Sequence, residues 1–170
     1  LSSVILERRS EPASLTTPKA TGGFRLQFDD PAEISLIAES IELFDELEAE
    51  GYDLGIQRQG YLWCTTEPEG VERQARLVEL QRGWGLDDVE LLSGEEVRER
   101  FPYISDRVRQ ARFRQDDGFI DPRSLAMALL SQSGARLVLE CEVEGLLVEN
   151  DRISGVATST AEIACEQVVL

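Results

Sequence analysis

No histidine occurs anywhere in the 170 residues, and that absence removes whole classes of chemistry. Neither a Ser-His-Asp nor a Cys-His arrangement can be assembled from this chain alone. A histidine-ligated zinc site is excluded on the same ground. Cysteine is scarce too: Cys64, Cys141 and Cys165 stand far apart, none in Cys-x-x-Cys spacing. Three is an odd number for a disulfide framework, so they are expected to be buried free thiols in a reducing compartment. No apolar run approaches the roughly 20 residues of a membrane helix, and no basic-then-apolar leader opens the chain. The expected location is the cytoplasm. Positive charge is also short, with 17 basic residues against 33 acidic ones and a formal charge of −16. Such a surface repels phosphate backbones, so nucleic acid is not an expected partner. Any chemistry must come from a cofactor, from carboxylates, or from residues outside this chain.

What is present is the composition of a globular protein, 42% hydrophobic and 29% charged, enough for one ordinary domain or two small subdomains. The only methionine is Met127, and Gln167-Val168-Val169-Leu170 closes on an apolar run. The chain is therefore expected to be an internal part of a longer protein. Ser3-Val4-Ile5-Leu6, closed by Glu7, reads as a buried strand. Residues 10–23 are rich in Ser, Thr, Pro, Gly and Ala and read as a loop. Asp30-Pro31 with Glu33 opens a helix whose apolar face is Ile34, Ile37, Ile41, Phe44 and Leu47, and Gly51 ends it. A strand is expected over Gly60–Cys64. Thr66 with Glu69, and Ser93 with Glu96, have the pattern of capping boxes opening two further helices. Asp121-Pro122 opens another helix, running to Gly134. Strands follow over Leu137–Val143, on both sides of a hairpin turn at Asn150-Asp151, at Ile163 and over Val168–Leu170.

Glu7 is the first candidate for chemistry. A carboxylate at the end of a strand in a dinucleotide-binding fold accepts hydrogen bonds from neighbouring ribose hydroxyls, although many such residues simply meet solvent. The run Thr16-Thr17-Pro18-Lys19-Ala20-Thr21-Gly22-Gly23-Phe24-Arg25 combines hydroxyls, glycine amides and two cations, which suits a phosphate or the edge of a flavin. The alternative is an ordinary polar loop. Arg25 could face a negative flavin or a substrate carboxylate. Asp121 reads as a helix cap, and Trp63 and Trp84 as packing residues.

In order along the chain, Val4-Ile5-Leu6-Glu7-Arg8, Ala20-Thr21-Gly22-Gly23-Phe24-Arg25, Gly60-Tyr61-Leu62 and Asp117-Gly118-Phe119-Ile120-Asp121-Pro122-Arg123-Ser124-Leu125 resemble the D-amino-acid oxidase-like family of flavoenzymes. Cys141-Glu142-Val143, Arg152-Ile153-Ser154-Gly155-Val156 and Val168-Val169-Leu170 continue the match. The nearest likeness is to the sarcosine oxidase beta-subunit type and its proline- or dimethylglycine-oxidising relatives. The resemblance implies an α+β fold: a mixed-sheet half of a substrate domain with helices, plus fragments of a Rossmann-like FAD-binding domain. It places FAD-domain fragments at 1–50 and 115–170, with a substrate-domain part at 51–114. It implies FAD as cofactor, held by Glu7, Arg8, Thr16, Thr17, Lys19, Thr21, Gly22, Gly23 and the backbone of Val143, with Arg25 near the flavin or substrate. The implied substrate is a small amine or amino acid, and other subunits of an oxidoreductase complex are possible partners. Two rivals stay open: a non-catalytic acidic interaction domain, and a glycerol-phosphate dehydrogenase-like flavoenzyme.

Overall fold

A computed structural model of the chain describes residues 3–169. In chain order the elements are β1 (Val4–Leu6), a 3-10 turn (Thr17–Lys19), β2 (Gly23–Phe24), α1 (Pro31–Ala49), β3 (Tyr61–Thr65), α2 (Pro68–Gly83), β4 (Glu90–Ser93) and α3 (Gly94–Arg100). There follow β5 (Gln110–Arg114), β6 (Gly118–Phe119), α4 (Pro122–Gln132), β7 (Arg136–Val138), β8 (Val143–Glu149), β9 (Arg152–Thr158) and β10 (Glu162–Ala164). Helices and several small sheets mix, as an α+β chain should. The chain divides by packing into two compact units, one of residues 1–20 and 125–170, the other of residues 21–124.

In the first unit β1 pairs with β7 in parallel, Ile5 opposite Leu137. The parallel pair needs a long crossover, and 129 residues separate the two strands. β1 is a strand as expected but not a buried one, since Val4 and Ile5 are exposed. The expected strand over Leu137–Val143 is broken in two, because Glu140 takes a positive φ of 52° between β7 and β8. The hairpin β8–β9 turns at Asn150 and Asp151, with φ of 51° and 60°. Two successive left-handed residues make the turn whose twist matches that of the flanking strands. β10 adds to β9 in antiparallel register. Val168 and Val169 are in no strand, and Leu170 lies outside the described residues.

The second unit is built on the antiparallel sheet β3-β5-β4. Strand alternation divides its side chains between two cores. Leu92, Ala111 and Phe113 share one face and pack with Val97 of α3, Val108, Phe101 and Ile104. Leu91 joins the other core, where Phe24, Leu26, Ile41, Val78, Leu86 and Val89 bring α1 and α2 together. Helix α1 forms as its sequence requires: the Asp30 side chain accepts the Ala32 N–H at 2.7 Å, Pro31 fills the first turn, and Ile34, Ile41 and Leu47 are buried. Gly51, at φ 96°, stops it. Helix α2 begins otherwise than expected. Pro68 takes its first turn and Glu67 the cap position with no side-chain cap, while Thr65 Oγ1 accepts the Glu67 N–H. No helix of the described residues is long and apolar enough to cross a membrane.

Candidate functional site

Glu7 follows β1 directly, at the carboxyl end of a strand in a parallel pair. Its backbone is fixed on both sides: its N–H donates to Val138 O, and its carbonyl accepts from Cys141 N, both at 2.9 Å. The half-buried side chain accepts one hydrogen bond, from Arg9 N–H to Oε1 at 2.8 Å. An ionised carboxylate has about four acceptor positions, so capacity for ligand hydroxyls remains. Arg8 projects into solvent and only approaches Glu142, at 3.9 Å between two exposed side chains. Val143 opens β8 and is exposed.

Thr16, Thr17 and Lys19 belong to the first unit and lie in the 3-10 turn, closed by Lys19 N–H to Thr16 O at 3.0 Å. Pro18 is at home there because the turn needs its φ. Thr16 and Lys19 are exposed and Thr17 half-buried. Thr21, Gly22 and Gly23 belong to the second unit. Gly22 has φ 70°, and a Cβ there would stand 2.0 Å from the carbonyl oxygen of Ile120. That carbonyl lies beside the β2–β6 pair, where Ile120 N–H donates to Gly22 O. The fold therefore requires glycine at this position before any cofactor is considered.

Arg25 follows β2, and its guanidinium stands among three aromatic rings. It lies 4.7 Å from the Phe28 centroid, 5.2 Å from Trp63 and 5.7 Å from Tyr61. Its Nε is buried and has no hydrogen-bond partner among the described residues. Cation–π attraction holds the group where no carboxylate neutralises it. The segment carrying Arg25 is anchored by Asp117, which is completely buried. Asp117 Oδ1 accepts the Leu26 N–H at 2.9 Å and the Arg114 guanidinium at 2.8 Å, and Oδ2 accepts the Gln27 amide at 3.0 Å. Arg114 also reaches Asp88 at 2.8 Å. Burial works against the Arg114 cation, but the hydrogen bonds and charges of Asp88 and Asp117 outweigh it and hold its pKa above the ordinary arginine value. In the sequence Asp117 stood only as the first residue of the Asp117–Leu125 motif, with no role of its own; its one signal was an acid directly before Gly118.

Asp121 caps α4, as its sequence position suggested. It accepts the N–H of Arg123 at 2.8 Å and of Ser124 at 3.4 Å, and these bonds, that of Arg123 first, hold its carboxyl below the usual carboxylate range. Trp63 is more than a packing residue, since its exposed ring faces two arginines, Arg25 and Arg112. The cysteines are free, but only Cys141 is buried. Cys64 is exposed, and partial burial still pushes its thiol pKa up. No group of residues suited to a metal occurs among the described residues.

Among solved structures, the chain is 30% identical to L-proline dehydrogenase from P. horikoshii, with a TM-score of 0.79, covering 90% of this chain and 41% of that one. It is 27% identical to glycine oxidase from Bacillus cereus, with a TM-score of 0.77, covering 98% of this chain and 48% of that one. An L-alpha-glycerophosphate oxidase from Mycoplasma pneumoniae, at 18% identity and a TM-score of 0.76, shares the fold. The chain spans less than half the length of each of these proteins. No curated protein matches it. The family model described as DAO, FAD dependent oxidoreductase, matches residues 1–170, so the chain belongs to this family of FAD-dependent oxidoreductases.

Proposed function

We propose that the protein containing this chain oxidises a small amine or amino acid with FAD. The observation that carries the reading is Glu7: a half-buried carboxylate at the carboxyl end of a parallel strand, with its backbone fixed and acceptor positions to spare. That acceptor chemistry fits the hydroxyl pair of the FAD ribose, whose O–H groups donate. In the first unit, the exposed Thr16 hydroxyl and Lys19 ammonium would serve the pyrophosphate side, the Val143 backbone the adenine, and Arg8 and Thr17 are further candidates for cofactor contact; in the second unit the candidates are Thr21, Gly22 and Gly23. Arg25, a cation without a carboxylate partner, would face the flavin or the substrate carboxylate. When bound, the flavin would accept a hydride from the carbon beside the amine nitrogen, leaving an imine that hydrolyses.

Proline dehydrogenase and glycine oxidase, at 30% and 27% identity, act by name on amino acids. They favour this reading over a polyol-phosphate substrate, for which the likeness is one of fold. Membership of a flavoenzyme family weighs against a non-catalytic acidic module. The experiment is flavin retention by the full-length protein and its Glu7→Ala variant. The variant should bind FAD more weakly by about 1–3 kcal/mol, through loss of charge-assisted bonds to ribose. Equal retention on dialysis would return Glu7 to an ordinary strand end. Full-length protein that is colourless, takes up no added FAD and reduces none with a secondary amine would sink the reading.

A further inference from the structure

A cavity of about 460 Å³ opens beside Trp63 in the second unit, within the size range of small-ligand pockets. Arg112 of β5 lines it together with Arg73 and Arg76, which α2 presents three residues apart and so on one face. Leu77, Leu80 and Trp63 supply its apolar lining, and Asp29 is the one acidic residue there.

The charge here is unusual for a chain with a formal charge of −16. Two residues beyond Arg112, the buried Arg114 is neutralised by Asp88 and Asp117. Arg112 has no such partner. Among the described residues neither it, Arg25, Arg73 nor Arg76 forms an ion pair, and the buried Nε atoms of Arg112 and Arg25 have no hydrogen-bond partner. Their guanidinium groups each lie 5.2 Å from the Trp63 centroid. Burial lowers the pKa of Arg112, and the like charges of Arg25 and Arg73 add to that, while the charges of Asp29 and Asp117 oppose it. Arg112 and Arg25 are half-buried without an ion-pair partner, the exposed Arg73 and Arg76 add like charge, and Asp29 is a single counter-charge; an anion entering from solvent would relieve the imbalance.

We propose that this cavity binds a small organic carboxylate with an apolar body. Arg112 and Arg73 hold the carboxylate, whose planar geometry matches the guanidinium fork. Trp63, Leu77 and Leu80 cover the apolar part. Asp29 discriminates against a second negative charge, so a carboxylate monoanion is preferred to a phosphate dianion. The inference stands on the second unit alone and does not depend on where FAD binds.

The test is calorimetric titration of the full-length protein with phenylacetate and, separately, with inorganic phosphate. Phenylacetate should bind saturably and more tightly than phosphate. Arg112→Gln and Arg73→Gln should each weaken it roughly tenfold or more, and Trp63→Phe should remove the accompanying change in tryptophan emission. Arg73 is exposed on α2, so its replacement leaves folding intact even where that of Arg112 does not. Absence of saturable binding, an affinity indifferent to the Arg73 replacement, or phosphate binding as tightly as phenylacetate would each overturn the proposal.

Discussion

A single carboxylate, Asp117, organises the ground on which Arg25 stands. Its two oxygens hold a backbone amide, a glutamine side chain and a guanidinium, with no solvent exposure. Removing one member of a buried charged network leaves its partners unpaired, so Asp117→Ala should destabilise the protein by about 3–5 kcal/mol. Denaturant unfolding checks this, and a loss below about 1 kcal/mol would show that water replaces the carboxylate. None of it could be read from the sequence. Gln27 and Leu26 lie 90 and 91 positions away from Asp117, and a local pattern carries no record of such a partner. Gly22 is the converse case, where the fold supplies a reason of its own for the residue. Its sequence context suggests a cofactor's approach, yet the Ile120 carbonyl already demands that the side chain be absent.

Elements were more legible because their signals are local. Helices α1 and α3 were marked by Asp30-Pro31 and by Ser93 with Glu96, and the structure forms both caps, with Ser93 and Glu96 bonded in each direction. The hairpin at Asn150-Asp151 followed from the tolerance of these residues for positive φ. The cap of α2 was misplaced because a threonine and a glutamate at the right spacing compete with a nearby proline, and the proline's fixed φ decided where the helix begins. The caps also set a pH dependence. Bonds from the Ser93 backbone and then its side chain lower the Glu96 pKa, as those from Arg123 and Ser124 lower that of Asp121. A carboxyl depressed on folding contributes stability that is present above its unfolded value, near 4, and is lost as pH falls through the lower folded value. Melting temperature should therefore fall as pH drops below about 4, and less steeply in Asp121→Asn, which keeps an acceptor but does not titrate. Coincident slopes would mean that other carboxyls govern acid unfolding.

For the whole molecule, the order of motifs along the chain was informative beyond any one of them. Glu7, the Gly22-Gly23 segment and the Gly118–Leu125 segment are each compatible with ordinary turns and strand ends, but their succession pointed to a flavoenzyme family, and the chain belongs to one. The cationic surroundings of Trp63 stayed hidden, because Arg25, Arg73 and Arg112 come from three separate elements. The sheet that presents Trp63 has a further consequence. β3 pairs with β5 on one side only, which makes it an edge of the β3-β5-β4 sheet among the described residues. An unpaired edge bearing exposed Trp63 and Cys64 is a template for a strand from another molecule. Expressed alone, the chain should associate through this edge as its concentration rises, and exposed thiols brought together in this way would convert transient pairs into covalent dimers under oxidation. Non-reducing electrophoresis of the chain and its Cys64→Ser variant would reveal them, and covalent dimers that persist in Cys64→Ser would overturn this reading.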